Sequence, residues 1–144
     1  MRLTYQSELD CRLNHSSPAI EYAMSALRRD IAKVLRDCGK QGGGISLRPA
    51  QKCSSLPEEC FILTVEDGSL ILQAGDDMGF IYGLYEISRR FLGVRNFWFW
   101  YDQVFMQSEY ADIPDDFSYR SAPYAVRHRG WFINDETLIM NWTL

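Results

Sequence analysis

The stretch "CFILTVEDGSLILQAGDDMGFIYGLYEISRRFLG", residues 60–93, predicts two strands followed directly by a helix. Two runs rich in apolar residues flank Asp67 and Gly68, a dipeptide that favours a two-residue hairpin turn with positive φ angles at both positions. After the second run, apolar residues recur at helical spacing. We therefore expect a β-hairpin and a helix that follow one another without a linker.

The helix predicted after this hairpin has both a start and a stop signal. Asp76 or Asp77 can cap its first turn, and Gly93 can end it. Gly79 and Gly83 lie four residues apart, on one face of the helix. Each costs about 1 kcal/mol relative to alanine inside a helix, so some gain must offset it. Close approach of the helix to a sheet is the structural explanation, and a phosphate-binding role is the alternative.

A second amphipathic helix is predicted earlier in the chain, in "SSPAIEYAMSALRRDIAKVLRDCGK". Ser16 or Ser17 can cap its N-terminus, and Pro18 suits the first turn. Apolar residues recur at helical spacing from there on, and Gly39 can end the helix. We expect this helix to span about residues 18–37.

These elements predict an α/β fold of the two-layer α+β type. "ISLRP", residues 45–49, adds a strand candidate, so we expect a mixed sheet of about four or five strands with the two helices packed on one face. "ADIPDDFSYRSAPYAVR", residues 111–127, is acidic and contains prolines, which is typical of a connector at a domain boundary. We therefore divide the chain into an accessory α/β domain, residues 1–120, and a connector with the start of a second domain, residues 121–144.

The composition excludes several classes of function. The 144 residues, 47% apolar and 24% charged, are typical of about one globular domain. The net charge of −4 argues against nucleic-acid binding, and no apolar run reaches the length of a signal peptide or a membrane span. The four cysteines and two histidines lack the spacing of a zinc site. We therefore expect a cytoplasmic protein without nucleic-acid or membrane partners and without a metal or cofactor.

The aromatic run "FWFWY", residues 97–101, is a candidate sugar-binding surface. The apolar faces of pyranose rings pack on indoles, so Trp98 and Trp100 can form a stacking platform together with Tyr101. Packing in the core or at a domain interface is the alternative.

The stretch "RGWFINDE", residues 129–136, is apolar at first and polar at its end. If it is a strand, both of its faces begin apolar, which is typical of a barrel strand whose C-terminal end carries the chemistry. Asp135 and Glu136 then point to opposite sides, so at most one of them can serve as one of the two facing carboxylates of a glycosidase. The structural alternative is a turn at Asn134 and Asp135 that caps the following segment.

Three motifs, "GFIYGLYEISRRFLGV", "FWFWYD" and "RGWFINDE", resemble in this order the N-terminal part of glycoside hydrolase family 115, the xylan α-glucuronidases. The resemblance implies that residues 1–120 are the accessory domain that precedes the catalytic barrel. Residues 121–144 would then hold the connector and the first barrel strand. Such enzymes remove glucuronic acid or its 4-O-methyl ether from side branches of xylan.

The resemblance also implies roles for individual residues. Asp135 is the catalytic candidate, with Glu136 as a weaker one, and Asn134 is expected to contact the sugar. Trp98 and Trp100, from the aromatic run, complete the list of substrate-binding candidates. The other barrel strands and the second catalytic carboxylate are missing from these 144 residues, so we expect the chain to be the front part of a larger enzyme and inactive alone.

Two other functions stay open beside this interpretation. The chain can be a carbohydrate-binding module, whose partner is a polysaccharide or oligosaccharide. It can also be a self-associating protein that forms a homodimer through the apolar C-terminal strand region, residues 131–142. The basic residues Arg127, His128 and Arg129 can attract a uronate carboxylate or can form a solvated surface cluster.

Overall fold

A computed structural model describes residues 1–15, 17–50, 56–96, 98 and 102–130. In this part of the chain, a layer of two helices covers one sheet of five strands, and a two-stranded sheet lies beside it. The elements are β1 (Arg2–Leu3), β2 (Leu9–Cys11), α1 (Pro18–Val34), β3 (Ile45–Pro49), β4 (Phe61–Glu66), β5 (Ser69–Ala74), α2 (Asp77–Phe91), β6 (Ala111–Asp112) and β7 (Ser118–Arg120).

The main sheet is mixed, as the sequence predicts. Its strand order is β2-β3-β5-β4-β7. The first three strands in this order run parallel, and β4 is antiparallel to both of its neighbours. β1 and β6 form the small antiparallel sheet. The two-layer α+β fold with a mixed sheet and two helices is therefore confirmed.

The core lies between the sheet and the helices. Leu47, Leu72 and Leu63 stand side by side on β3, β5 and β4, and each is fully buried. Ile20 and Leu27 of α1 and Phe80, Leu84 and Ile87 of α2 belong to the same buried cluster. Full burial of such side chains stabilises the fold by about 1.5–3 kcal/mol each, so this central contact fixes the position of both helices on one face.

The hairpin turn has the predicted geometry. Asp67 and Gly68 have φ angles of 48° and 72°, both in the left-handed region. β4 and β5 pair along their full length, with Glu66 opposite Ser69 next to the turn. The two-residue turn predicted from the sequence is therefore confirmed.

The start and the stop of α2 are confirmed as well. The Asp76 carboxylate accepts a hydrogen bond of 2.7 Å from the Gly79 backbone N–H, which caps the first turn. At the other end Gly93 has a φ of 66°, and the backbone N–H of Val94 donates to the carbonyl of Ser88 over 3.1 Å. This left-handed glycine ends the helix in the expected way.

The glycines inside α2 lie where the helix meets the sheet. A methyl group at Gly79 would stand 2.5 Å from the carbonyl oxygen of Cys60, and one at Gly83 would stand 2.3 Å from Leu72 Cδ1. Real Cβ atoms do not approach other atoms so closely. Close approach of the helix to the sheet therefore explains both glycines.

α1 ends earlier than predicted. It begins at Pro18 as expected, with Ser17 as its N-cap residue, but it stops at Val34. Leu35 leaves the helix in an extended conformation and forms a bridge with Ser108, whose backbone N–H donates to the Val34 carbonyl over 2.9 Å. Gly39 does not end this helix, because the long-range pairing with Ser108 ends it first.

The interpretation of residues 111–127 as a connector is wrong for much of its length. This segment contains β6 and β7, which pair with β1 and β4. Aromatic contacts hold it in place: the rings of Phe117 and Phe91 are 5.1 Å apart, and those of Tyr119 and Phe61 are 5.9 Å apart. The acidic residues and prolines indicated a loop, but the apolar residues between them pack on the core. The division of the chain at residue 120 stays a prediction.

A charged cluster joins the last turns of α2 to β7. Arg89 donates two hydrogen bonds, of 2.7 and 2.8 Å, to the Glu86 carboxylate, and Arg90 donates two more. The Arg90 guanidinium also lies 4.2 Å from the centre of the Tyr119 ring on β7. Partial burial alone would raise the pKa of Glu86, but the hydrogen bonds from both arginines outweigh it and lower the pKa below its ordinary value of 4.5.

No helix in the described ranges has the length and the apolar character that crossing a lipid bilayer requires.

Replacement of Gly79 by alanine should destabilise the protein, although alanine favours helices. The new methyl group meets the Cys60 carbonyl oxygen, which belongs to the backbone and cannot turn away. We expect the free energy of unfolding, measured in urea, to fall by about 1–3 kcal/mol. Gly44→Ala is the matched control, because its nearest contact would be an ordinary 3.6 Å, and it should change stability by less than about 1 kcal/mol. Equal effects of both substitutions would contradict the close approach.

Replacement of Glu86 by glutamine should cost more stability at neutral pH than at acidic pH. Because the folded-state pKa of Glu86 is lowered, ionised Glu86 stabilises the fold above pH 4.5, and this contribution is lost as the pH falls through the folded-state pKa. We expect Glu86→Gln to lower the free energy of unfolding by about 0.5–1 kcal/mol at pH 7. Urea unfolding of both proteins should show this difference shrinking as the pH falls below 4.5; a difference that stays constant would refute the assignment.

Candidate functional site

Most of the predicted site residues lie outside the part of the chain that the structure describes. Asn134, Asp135, Glu136 and Trp100 are among them, so their proposed roles stay predictions. The strand region 131–142, predicted to mediate a homodimer, lies outside it too.

Trp98 is the predicted site residue that the structure describes. Its ring is partly buried against the core and meets Phe105 edge to face, with 5.9 Å between the ring centres. The Lys33 ammonium group of α1 lies 3.4 Å from the centre of the indole, and the Arg29 guanidinium carbon lies 5.2 Å from it. A sugar that stacks on the ring face next to Lys33 would have to displace this cation. Stacking of sugar on Trp98 stays a prediction.

The last described residues are tied to α2 by a group of four side chains, which we name the Arg129 cluster: Arg129, Glu59, Tyr82 and Tyr124. The Arg129 guanidinium forms an ion pair with the Glu59 carboxylate and donates a hydrogen bond of 3.2 Å to the Tyr82 hydroxyl. It also lies 3.9 Å from the centre of the Tyr124 ring. The chain just before residue 131 is thus attached to the domain by a charge, a hydrogen bond and a ring contact.

Glu59 owes its position to the cap of α2. Its φ angle of 63° is rare for a residue with a side chain. Its backbone N–H donates a hydrogen bond of 2.8 Å to Asp76, the same carboxylate that caps α2 through Gly79. One aspartate therefore fixes both the start of the helix and the residue that receives Arg129.

The two tyrosines of the Arg129 cluster pack against each other. Their ring centres are 5.4 Å apart at an angle of 67°, an edge-to-face arrangement that aromatic pairs favour. Partial burial raises the pKa of Tyr124 above its ordinary value of 10.0, and the neighbouring Tyr82 raises it further. Tyr124 therefore stays a neutral phenol at physiological pH and packs as an amphipathic ring.

The chain that leads to this cluster is anchored at its other end as well. The backbone N–H of Phe61 donates to the Ser121 hydroxyl over 2.9 Å, and the backbone N–H of Ser121 donates to the Phe61 carbonyl over 3.0 Å. These bonds extend the pairing of β4 and β7 by one residue. Residues 121–129 therefore run along α2 between two fixed points.

The three basic residues 127–129 do not form one solvated cluster. Arg127 is exposed, and its closest carboxylate, that of Glu58, is 3.9 Å away and equally exposed. His128 is also exposed. Arg129, by contrast, contacts Glu59, Tyr82 and Tyr124. The sequence did not indicate this difference, because the partners of Arg129 are 5, 47 and 70 residues distant.

The charged groups of the Arg129 cluster are paired with each other. The Glu59 carboxylate is occupied by Arg129, so it is not a free acid or base. Among the residues that the structure describes, no three His, Cys, Asp or Glu side chains are grouped to bind a metal ion. A surface pocket of about 460 Å³ lies beside the cluster and is lined by Glu59, Met78, Tyr82 and residues 127–130.

No protein-family model and no curated protein matches the sequence. Among solved structures, a family GH115 4-O-methyl-α-glucuronidase with specificity for decorated arabinogalactans is similar to this chain, with a TM-score of 0.68 and 24% identity over 85% of the chain. The match covers 18% of that enzyme's chain, so our chain spans about a fifth of its length. At this identity the likeness shows the fold alone, and the family resemblance read from the sequence is confirmed at that level.

Two further structures are more weakly similar. A β-N-acetylhexosaminidase from Bacteroides fragilis has a TM-score of 0.42 and 24% identity, over 67% of this chain and 19% of its own. A family GH20 exo-β-N-acetylglucosaminidase from Vibrio harveyi has a TM-score of 0.40 and 18% identity, over 58% of this chain and 12% of its own.

Loss of the Arg129 cluster should loosen residues 122–130 without unfolding the domain. In Arg129→Gln the ion pair with Glu59 is lost, so this segment opens locally while the core stays packed. NMR relaxation of ¹⁵N should show lower backbone order parameters for residues 122–130, with α2 unchanged. Arg127→Gln is the matched control and should keep the order parameters of the wild type. Unchanged order parameters in Arg129→Gln would show that the cluster does not hold the segment.

Proposed function

We propose that this chain is a non-catalytic accessory domain of a glycoside hydrolase, and that it holds the first part of the catalytic polypeptide in a fixed position. The observation that carries the proposal is the Arg129 cluster, which attaches the chain to α2 directly before residue 131. Arg129 is also the first residue of the motif, residues 129–136, that resembles the first barrel strand of family 115.

The fold supports the same proposal. The likeness to a family GH115 α-glucuronidase extends over 85% of this chain, but it covers only 18% of that enzyme's chain. A domain of this size inside a much longer hydrolase is suited to support rather than to catalysis. We propose that the substrate of the whole enzyme is a polysaccharide or oligosaccharide that carries glucuronic acid or its 4-O-methyl ether.

The chemistry of hydrolysis agrees with a supporting role. Cleavage of a glycosidic bond requires an acid and a base or nucleophile that face each other across the bond. Three acidic side chains in and around the Arg129 cluster and α2 already have partners in the domain. Asp76 caps α2, and Glu59 and Glu86 form ion pairs with arginines. The benefit of the domain is positional, because a catalytic group misplaced by about 1 Å loses much of its rate enhancement.

The purified 144-residue chain should release no glucuronic acid from aldouronic acids. If residues 129–136 form a strand, Asp135 and Glu136 point to opposite sides of it, so at most one of them can face the glycosidic bond. Chromatography with amperometric detection of the released sugar measures this. Turnover that Asp135→Asn abolishes would show that the chain is itself a catalyst and would overturn the accessory role.

The gene product encoded by the complete reading frame gives the positive test. If it extends beyond Leu144 into a hydrolase, Arg129→Gln should lower kcat by about tenfold or more, because the first strand loses its support. Arg127→Gln is the control and should keep full activity. A stop codon directly after Leu144 would refute the accessory-domain proposal.

A further inference from the structure

A groove of about 410 Å³ runs between α2 and the chain that leaves β7. We name it the tyrosine groove and define it by six of its lining residues: Tyr82, Tyr85, Tyr119, Tyr124, Arg89 and Asn96. Its volume falls within the range of small-molecule sites. It differs from the pocket beside the Arg129 cluster, with which it shares Tyr82.

The groove results from two elements that present aromatic residues to each other. Tyr82, Tyr85 and Arg89 recur at intervals of three and four residues, so they lie on one face of α2. This face lies beside the one that touches the sheet, where Gly79 and Gly83 make the close contact. The opposite wall comes from Tyr119 of β7 and from residues 121–125 behind it.

The aromatic lining favours a sugar ring as ligand. Tyrosine offers an apolar ring that packs on C–H groups and a hydroxyl that forms hydrogen bonds. Tyr85 keeps 39% and Tyr124 keeps 46% of its surface exposed, so both rings are accessible from the groove. Partial burial raises the pKa of each above 10.0, so both hydroxyls stay protonated and can donate a hydrogen bond to a sugar oxygen.

The charge of the groove favours an acidic ligand. Arg89 and Glu86 both line the groove, and Arg90, which lies over the ring of the groove residue Tyr119, binds the same carboxylate. These three groups together carry one excess positive charge. Arg89 binds Glu86 through Nε and Nη2 only, so within the described residues its Nη1 is left to donate. A guanidinium with free N–H groups in a partly apolar pocket is suited to bind a carboxylate.

We propose that the tyrosine groove binds an oligosaccharide that contains a hexuronic acid. In this site the sugar ring packs on Tyr85, its carboxylate accepts hydrogen bonds from Arg89, and the exposed Asn96 amide binds a ring hydroxyl. The site rests on the side chains of the groove and does not require that the chain be part of a hydrolase. It would give the domain its own contact with an acidic polysaccharide.

Binding of tetragalacturonate and of its fully methyl-esterified form to the 144-residue chain tests the proposal. The ester has no charge on its carboxyl groups and carries one additional methyl group on each of them. Isothermal titration should detect tetragalacturonate and should give an affinity at least about tenfold weaker for the ester, because a charge-assisted hydrogen bond is lost. Shift changes in two-dimensional NMR should fall on α2 and on residues 119–125.

Variants of the groove complete the test. Tyr85→Ala and Arg89→Gln should each weaken binding of tetragalacturonate by about tenfold or more. The matched controls are Tyr5→Ala, a tyrosine of similar exposure at 40%, and Arg36→Gln, an arginine paired with Glu109 over 3.6 Å. Both should bind like the wild type. Circular dichroism and the urea midpoint of each variant separate loss of the site from loss of the fold.

Three outcomes would overturn the proposal: no binding of tetragalacturonate, equal binding of the methyl ester, or binding that the groove variants leave intact. Each is independent of the accessory-domain proposal, which is tested by turnover and by the reading frame.

Discussion

The contact between α2 and the β4–β5 hairpin is the constraint on which the other features depend. The helix lies so close to the sheet that Gly79 and Gly83 have no room for a methyl group. This contact fixes which residues of α2 point outward. It places Tyr82 where Arg129 reaches it and Tyr85 and Arg89 where they line a groove. The site chemistry on the outer face of α2 is thus set by the packing on its inner face.

The parts of the fold that could be predicted from the sequence are those set by residues close together in the chain. The hairpin turn at Asp67 and Gly68, the cap at Asp76 and the stop at Gly93 are decided by residues a few positions apart, and all were predicted correctly. The strands β1, β2, β6 and β7 were missed because they are two or three residues long and gain their structure from partners far away in the sequence. Leu35 illustrates the point, because α1 ends where Leu35 pairs with Ser108, a residue far away in the sequence.

The candidate site was predictable to a smaller extent. The aromatic run around Trp98 is conspicuous in the sequence, but the described side chain packs beside Phe105 and under Lys33. The tyrosines of the groove are spread over more than forty residues, so no window of the sequence displays them together. Likewise, Arg127 and Arg129 look alike in the sequence and differ only through the distant partners of Arg129. Spatial clusters of this kind follow from the tertiary fold, not from spacing.

The lengths of the outer strands have a consequence for association between copies of the protein. The five-stranded sheet ends on one side with β2 and on the other with β7, and each of them has three residues. A sheet recruits a neighbouring chain through the unpaired backbone groups of its edge, and short edges offer few of them. The inner strands β4 and β5, which are longer and more apolar, are shielded from such recruitment because each has a partner on both sides. Among the described residues, the long apolar strands therefore lie in the middle of the sheet, where they are least able to recruit another chain.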